Sequence, residues 1–478
     1  MRTDLFIGNE WRKAASGGAF EVVNPATEEV LARVQHAGPA DVDAAVTAAR
    51  TCFDGDAWQG LAARKRGAML HRAGELLAQR ADEMAALETR QNGKPLFESK
   101  IDVAMTVETL TYYAGWADKY GGHIVPVESG DFVFTDRVPL GVVGAIVPWN
   151  FPLNLASWKF APALAAGCTV ILKPASETPL TALAMAEIMQ EAGLPPGAFN
   201  VIPGGGSTTG AALVKHPGVD KISFTGSTAV GKQIMRDAAE TVKRVTLELG
   251  GKSPNVIFAD ADLKAAIRGA QTGIFYGKGE VCAAGSRLLV ERSVHDQVVE
   301  ELAARATKLT PGDPFDKNTR LGAVVSKKQQ EAVLAYVEAG KKDGAKLVAG
   351  GKAAQVNGKG YFVEATVFDD ARPGMRIVEE EIFGPVLAVL TFDGVEEGVQ
   401  LANETIYGLA AGIWTRDVTK ALKVARAIRA GTVWVNTYNL YDSGAPFGGF
   451  KQSGYGRDLG REALDGYTES KTVWVGLR

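Results

Sequence analysis

Apolar positions along this chain switch repeatedly between a spacing of three to four residues and short β-branched runs, the mark of helices alternating with strands. Between Asp41 and Lys119, Ala, Leu and Met recur at helical spacing and predict a helical N-terminal stretch. The rhythm then becomes regular, with strand Val142 to Val147, a helix from about Pro152 to Ala166, and strand Thr169 to Lys173. A helix at Thr181 to Ala192, strand Phe199 to Ile202, a helix near Thr209 to Lys215, strand Lys221 to Phe224 and a helix opening near Thr228 follow. This order predicts a parallel sheet covered by helices. A second alternation begins after Gly250, with strands at Asn255 to Phe258, Arg287 to Glu291, Val386 to Thr391, Ala411 to Trp414 and Thr432 to Val435.

Two strand patterns fit neither unit: Asp131-Phe-Val-Phe-Thr-Asp-Arg-Val inside Tyr120 to Leu140, and Thr472-Val-Trp-Val-Gly near the C-terminus. Such segments extend or bridge sheets, across subunits in some cases, and a surface hairpin fits the periodicity equally. The expected fold is α/β: a Rossmann-like dinucleotide-binding domain, a second α/β catalytic domain and a small β oligomerisation element. The corresponding boundaries are residues 1–119 with 142–248, residues 249–437, and residues 120–141 with 460–478.

A length of 478 residues accommodates roughly three domains of about 150. The 52 basic and 55 acidic residues leave a net charge of −3, which argues against a nucleic-acid or anionic-membrane partner. Hydrophobic residues at 46% and charged residues at 22% exclude disorder and collagen. Three scattered cysteines (Cys52, Cys168, Cys282) exclude a disulfide framework, and five histidines show no metal-ligand spacing, so no metal is expected. With no signal segment and no window of 18 uncharged apolar residues, a soluble cytoplasmic protein is expected. Glycine is the outlier, 55 residues or about 12% against an average of about 7%. So many glycines imply backbone positions with positive φ or a closely approaching ligand.

Gly226-Ser-Thr-Ala-Val-Gly231-Lys232 follows a strand and opens a helix, as a P-loop does, but Gln233 stands where a magnesium-binding hydroxyl belongs. No Walker-B strand follows, so NTP hydrolysis is the weaker reading, and what remains is a helix N-terminus suited to a phosphate. Gly204-Gly-Gly206-Ser-Thr-Thr-Gly210 lies at the next strand end, and Lys173 ends a third. Lys173 reads equally as a solvated lysine or as a cation facing the crevice where such sheets bind ligands. Cys282, in Phe275-Tyr-Gly-Lys-Gly-Glu-Val-Cys282, stands among small residues rather than in a core pattern and is the candidate nucleophile. Cys52 and Cys168 read as buried hydrophobes. Glu248 in Leu247-Glu-Leu-Gly-Gly is a carboxylate in an apolar run, either half of a buried ion pair or a general base with a raised pKa. Asn150 in Val147-Pro-Trp-Asn-Phe-Pro is a helix N-cap or an oxyanion donor.

Seven stretches occur in order: Val147-Pro-Trp-Asn-Phe-Pro152, Leu172-Lys-Pro-Ala, Phe224-Thr-Gly-Ser227, Leu247-Glu-Leu-Gly-Gly-Lys-Ser-Pro254, the Cys282 segment, Glu380-Glu-Ile-Phe-Gly-Pro385 and Pro446-Phe-Gly-Gly-Phe-Lys-Gln-Ser-Gly454. Together they resemble the aldehyde dehydrogenase superfamily over essentially the whole chain, closest to its non-acylating, tetrameric, retinal- and acetaldehyde-type branch. The resemblance implies oxidation of an aldehyde through a thiohemiacetal and a thioester on Cys282. Asn150 and the Cys282 N–H then hold the oxyanion, and Glu248 activates the hydrolytic water. It implies an NAD or NADP site at Trp149, Lys173, Ser176, Gly206, Gly226, Ser227, Glu381 and Phe383, and a homotetramer built as a dimer of dimers.

The match assigns the substrate tunnel to Phe151, Leu155, Trp158, Tyr276, Tyr441 and Phe447. This aromatic set with no arginine implies an apolar or aromatic aldehyde. Ser176 stands where many NAD-preferring relatives carry Glu, which implies that NADP is accepted and is the possible preference. Glu280 stands where Gln is common, and Asp458 replaces a Glu that relays protons in some members, an exchange that argues against that relay here. A CoA-acylating relative and a non-catalytic protein keeping the fold are the alternatives; the retained Glu248, Cys282 and Asn150 argue against both.

Overall fold

Strands Val142–Ile146, Thr169–Lys173 and Lys221–Thr225 are buried at every residue, as strands covered on both faces must be. They belong to a parallel set running, across the sheet, Phe199–Val201, Thr169–Lys173, Val142–Ile146, Lys221–Thr225 and Arg244–Glu248. The chain builds outward on one side of Val142–Ile146, then returns to its other side. That reversal opens a crevice at the carboxyl ends, and there lie Lys173, Thr225 and Glu248, with Trp149 and Asn150 just beyond Ile146. The computed structural model describes residues 1–477; Arg478, the last residue of the expected bridging element, lies outside the described residues.

Helix Pro152–Ala166 leaves this crevice with Pro152 in its first turn and stops at Gly167, whose φ of +99° is a left-handed cap. The predicted helical stretch is five helices, Pro39–Asp54, Asp56–Gln59, Ala63–Gln79, Ala81–Asn92 and Leu96–Trp116. Gly55, Gly60, Arg80 and the Gly93-Lys-Pro segment interrupt it. At Gly93, φ is +84° and a Cβ would stand 2.6 Å from the Ala323 carbonyl, so the break requires glycine. The sheet also has members the periodicity does not announce. Arg244–Glu248 is a strand rather than only an apolar run, Leu5–Ile7 pairs antiparallel with the Phe199 edge, and Gly454–Tyr455 closes the other edge against Glu248.

The second sheet runs Lys346–Ala349, Thr366–Asp369, Val386–Phe392, Arg287–Glu291, Pro254–Ile257, Ala410–Trp414 and Thr432–Val435. All its pairings are parallel except the first. The two unplaced strand patterns prove to be partners. Phe132–Pro139 and Thr468–Val475 pair antiparallel over their full lengths, from Pro139 against Thr468 to Phe132 against Val475, with Ile124–Val125 on the far side. The isolated surface hairpin is therefore replaced by a three-stranded sheet that joins distant parts of the chain.

Candidate active site

Cys282 is half-buried and opens on two cavities at once. On one side lies a cleft of about 250 Å³ lined by Trp149, Asn150, Gly226, Ser227, Glu381 and Phe383 among others. On the other lies a tunnel of about 410 Å³, which all six expected substrate residues line: Phe151, Leu155, Trp158, Tyr276, Tyr441 and Phe447. Burial, then the Glu381 and Glu248 carboxylates, push the Cys282 thiol up to about 12. The resting sulfur is therefore a thiol, and attack requires a base to take its proton.

Asn150 is buried, and its Nδ2 donates to the Glu280 carbonyl at 2.9 Å. The residue before helix Pro152–Ala166 is Phe151, with no side-chain cap, so the N-cap alternative for Asn150 does not hold. An amide nitrogen has two protons, so Nδ2 keeps one beyond that bond, and Asn150 lines the cleft together with Cys282. The Glu280 side chain is itself buried. Its Oε1 accepts from the Val325 N–H at 3.0 Å and its Oε2 pairs with Lys278 at 2.8 Å, both side chains fully buried. Lys278 in turn donates to Asn92 Oδ1 at 2.7 Å, while Asn92 Nδ2 donates to the Trp149 carbonyl at 2.8 Å. One asparagine thus ties the Asn150 loop to the Cys282 loop.

Glu248 ends its strand with its side chain 5% exposed and both carboxylate oxygens without a hydrogen bond. Burial raises its pKa well above the usual carboxylate range, Asp458 adds to the rise, and Lys159 and Arg457 oppose it. Among the described residues no cation pairs directly with it, so of its two expected roles the buried ion pair does not hold there. Asp458 instead pairs with Lys159 at 2.9 Å.

The cofactor candidates divide into two groups. Trp149, Gly226, Ser227, Glu381 and Phe383 share the cleft, with Trp149 and Phe383 edge to face at 5.2 Å. Glu381 Oε1 accepts from the Gly251 N–H at 3.1 Å, and burial pushes its carboxyl up to about 7. Lys173 and Ser176 stand apart from that cleft, at and just beyond the end of strand Thr169–Lys173. Lys173 is buried, not solvated, and donates to the Pro174 and Gly204 carbonyls at 2.9 and 3.0 Å; Ser176 Oγ donates to the same Gly204 carbonyl at 3.2 Å. Burial lowers the Lys173 pKa to about 8. Gly206 opens the turn Gly206–Gly210 just beyond.

Helix Thr228–Ala239 starts at the cleft, and Ser227 Oγ satisfies only its Val230 N–H, at 3.4 Å. The other first-turn N–H groups suit a pyrophosphate. The lysine of the P-loop pattern takes no part, because Lys232 donates to Gln452 Oε1 at 2.8 Å. Sequence reasoning missed Gln329, which lines the cleft and donates to the Phe383 carbonyl at 2.7 Å, holding Phe383 at a φ of +57°. It also missed Ile101 and Met105 on the tunnel wall, which come from helix Leu96–Trp116 and carry no local motif.

Residues 11–473 match the model of the family described as the aldehyde dehydrogenase family. Retinal dehydrogenase 2 of Mus musculus is 48% identical over 478 residues, 99% of this chain and 92% of its own. Among solved structures, the NAD+ complex of an aldehyde dehydrogenase from Bacillus cereus superposes with a TM-score of 0.98 at 49% identity, covering 100% of this chain and 97% of that one. An indole-3-acetaldehyde dehydrogenase of P. syringae in complex with NAD+ and IAA gives 0.98 at 48% identity, with the same coverage. No helix among the described residues is long and apolar enough to cross a membrane.

Proposed function

The chain belongs to the aldehyde dehydrogenase family, and from that premise we propose that it oxidises an apolar or aromatic aldehyde to the carboxylic acid through a thioester on Cys282. The observation that carries this reading is the position of Cys282, the one thiol opening on both an aromatic tunnel and the cleft that Trp149, Ser227, Glu381 and Phe383 line. Glu248 takes the thiol proton, and Sγ adds to the aldehyde carbon. Asn150 Nδ2 and the Cys282 N–H donate to the resulting oxyanion, each such donor contributing about 2.7–4 kcal/mol to the transition state. When bound, a nicotinamide dinucleotide supplies the hydride acceptor. Trp149, Gly226, Ser227, Glu381 and Phe383 hold its nicotinamide half and pyrophosphate, and Lys173, Ser176 and Gly206 its adenosine half.

Once Cys282 carries the acyl group and Glu248 has given the thiol proton up to solvent, Glu248 accepts a proton from water as the water oxygen adds to the thioester carbon. The carbon–sulfur bond then breaks to release acid and thiolate. A carboxylate with an elevated pKa is matched to this task near neutrality. The absence of a carboxylate at Ser176 supports use of NADP alongside NAD. Aromatic lining supports the substrate class, as do the retinal and indole-3-acetaldehyde relatives. Domain roles follow the expected boundaries: residues 1–119 with 142–248 bind cofactor, 249–437 carry the thiol, and 120–141 with 460–478 bridge copies in a dimer of dimers. Three free cysteines support a reducing, cytoplasmic setting. The test is kcat/KM over a panel of aliphatic, aromatic, phosphorylated and carboxylated aldehydes with NAD and NADP. Apolar and aromatic members are expected to lead, and full turnover by Cys282→Ser would overturn the mechanism.

A further inference from the structure

The tunnel wall beside Cys282 is mostly aromatic and aliphatic, yet two asparagines, Asn154 and Asn439, line it as well. Phe151, Asn154, Leu155 and Trp158 recur at the spacing of one helix face, and that face of Pro152–Ala166 forms part of the wall. Ile101 and Met105, one turn apart on helix Leu96–Trp116, supply the wall that meets it. Asn154 is the one amide on its face, where the neighbouring wall positions carry apolar or aromatic side chains.

The orientation of that amide is fixed. The Trp158 indole Nε1 donates to Asn154 Oδ1 at 3.1 Å, and an indole nitrogen only donates, so the amide oxygen lies on the Trp158 side. Nδ2 points the other way, and the acceptor it meets is the Met105 thioether at 3.9 Å. A thioether is a weak acceptor. Two amide protons therefore share one poor partner, on a residue only 4% exposed. Asn439 repeats the pattern. Its φ is +58°, its Oδ1 accepts from the Tyr441 hydroxyl at 3.5 Å, and its Nδ2 is buried with no hydrogen bond among the described residues. The one carboxylate on the wall is Asp102, which is buried and already paired with Lys94.

We propose that Asn154 determines specificity, its Nδ2 donating to a neutral oxygen that the aldehyde carries away from its reacting carbon. The substrate class is then an apolar or aromatic aldehyde bearing an ether, ketone or hydroxyl group. The proposal rests on the reading of Cys282 as the nucleophile that faces this tunnel, and it narrows the substrate class given there. A buried donor left without a good acceptor is costly, and an oxygen on the substrate removes that cost where a methylene does not. Oδ1 stays on Trp158 throughout, so recognition needs no movement of the aromatic wall. Asn154 takes no part in the chemical steps.

The test is kcat/KM with NAD for heptanal and for its ethers, oxygen replacing one methylene at a time from the fourth carbon outward. A fixed donor reads position, so one ether should exceed heptanal by about tenfold and its neighbours in the series should not. Asn154→Leu should lower that ether about tenfold and raise heptanal, which inverts the preference. Met105→Leu removes the sulfur without touching the bond to Trp158 and should keep the preference. A flat parental series, or one led by heptanal, overturns the proposal without recourse to any variant. Equal loss of both aldehydes in Asn154→Leu assigns the residue a structural role through Trp158 and also overturns it. Loss of the preference in Met105→Leu transfers recognition to the thioether, and faster oxidation of the terminal amine of the same length transfers it to Asp102; either overturns it. A parent that oxidises no member, or full turnover by Cys282→Ser, instead overturns the thioester reading beneath.

Discussion

The Asp458 carboxylate sits 2.9 Å from the Lys159 ammonium, with neither side chain more than 2% exposed. An aspartate reaches because its backbone is drawn inward. Asp458 and Phe447 exchange backbone hydrogen bonds of 2.8 and 2.7 Å, which bring the C-terminal segment against helix Pro152–Ala166. The same exchange sets Phe447 into the tunnel wall, so one backbone pairing serves both the buried charge pair and the substrate surface.

Replacing Asp458 by Asn leaves Lys159 a buried cation without its carboxylate, a loss that costs about 3–5 kcal/mol. Thermal unfolding of Asp458→Asn should therefore begin at a lower temperature. The same change removes a negative charge that raises the Glu248 pKa. Glu248 then ionises at lower pH, and the acidic limb of the thioester-decay profile should move to lower pH. An unmoved limb would mean that the two carboxylates do not interact.

Asn150→Ala removes the second Nδ2 proton and also the 2.9 Å bond to the Glu280 carbonyl. Loss of one oxyanion donor lowers kcat by about 10²–10³-fold. The fall should appear in the acylation step, measured by rapid-quench formation of acyl-enzyme, with affinity for the dinucleotide retained.

Legibility in the sequence followed the range of the interactions. Cys282, Glu248 and Asn150 stand in short motifs whose glycines and prolines belong to the same turn, so their neighbourhood can be read locally. Strand Arg244–Glu248 was obscured by its Arg and Thr, which pair with Glu469 and Ser223 from elsewhere in the chain. Lys94 and Asp102 lie within the predicted helical stretch and carry no motif, yet they form a buried ion pair, with the Lys94 ammonium 4.3 Å from the Phe151 ring on the tunnel wall. Nothing in periodicity distinguishes a solvated charge from one matched by another helix. Gln329 was missed for a related reason. It sits in the first turn of helix Lys327–Lys342, and only tertiary folding brings it to Phe383.

Selectivity between dinucleotides should respond to Ser176. Its hydroxyl and the Lys173 ammonium donate to one carbonyl, that of Gly204, so a carboxylate there would stand beside the lysine. In Ser176→Glu, repulsion of a 2′-phosphate should lower kcat/KM for NADP by about tenfold or more, with the value for NAD held or improved. A parent that prefers NAD a hundredfold would overturn the inference that NADP is used.

The Cys282 thiol is held high first by burial and then by the Glu381 carboxylate. Glu381→Gln keeps an acceptor for the Gly251 N–H but removes the charge, so a larger fraction of Cys282 should be thiolate at any given pH. Alkylation by iodoacetamide at pH 8, located by peptide mass, should accelerate at Cys282 while dinucleotide binding weakens. Cys52 and Cys168, buried and pushed up to about 11, should remain unlabelled in both proteins.

Assembly can be tested at the strand Thr468–Val475. One of its edges pairs along its length with Phe132–Pro139; the other has no partner strand among the described residues. Trp474 on this strand is 60% exposed, and Val475 and Phe132 are exposed beside it. An eight-residue strand with an open edge and an exposed tryptophan is a template for pairing with another chain, its charges, Glu469 and Lys471, lying in its first half. Trp474→Glu combined with Val475→Lys places charge on that edge. The parent should sediment as an oligomer at micromolar concentration and the double variant at lower mass. Because Cys282 and the tunnel are built from other strands, acylation of the smaller species should stay within about twofold of the parent. A parent that sediments as a monomer would show that this edge is covered by nothing and that the dimer of dimers does not form.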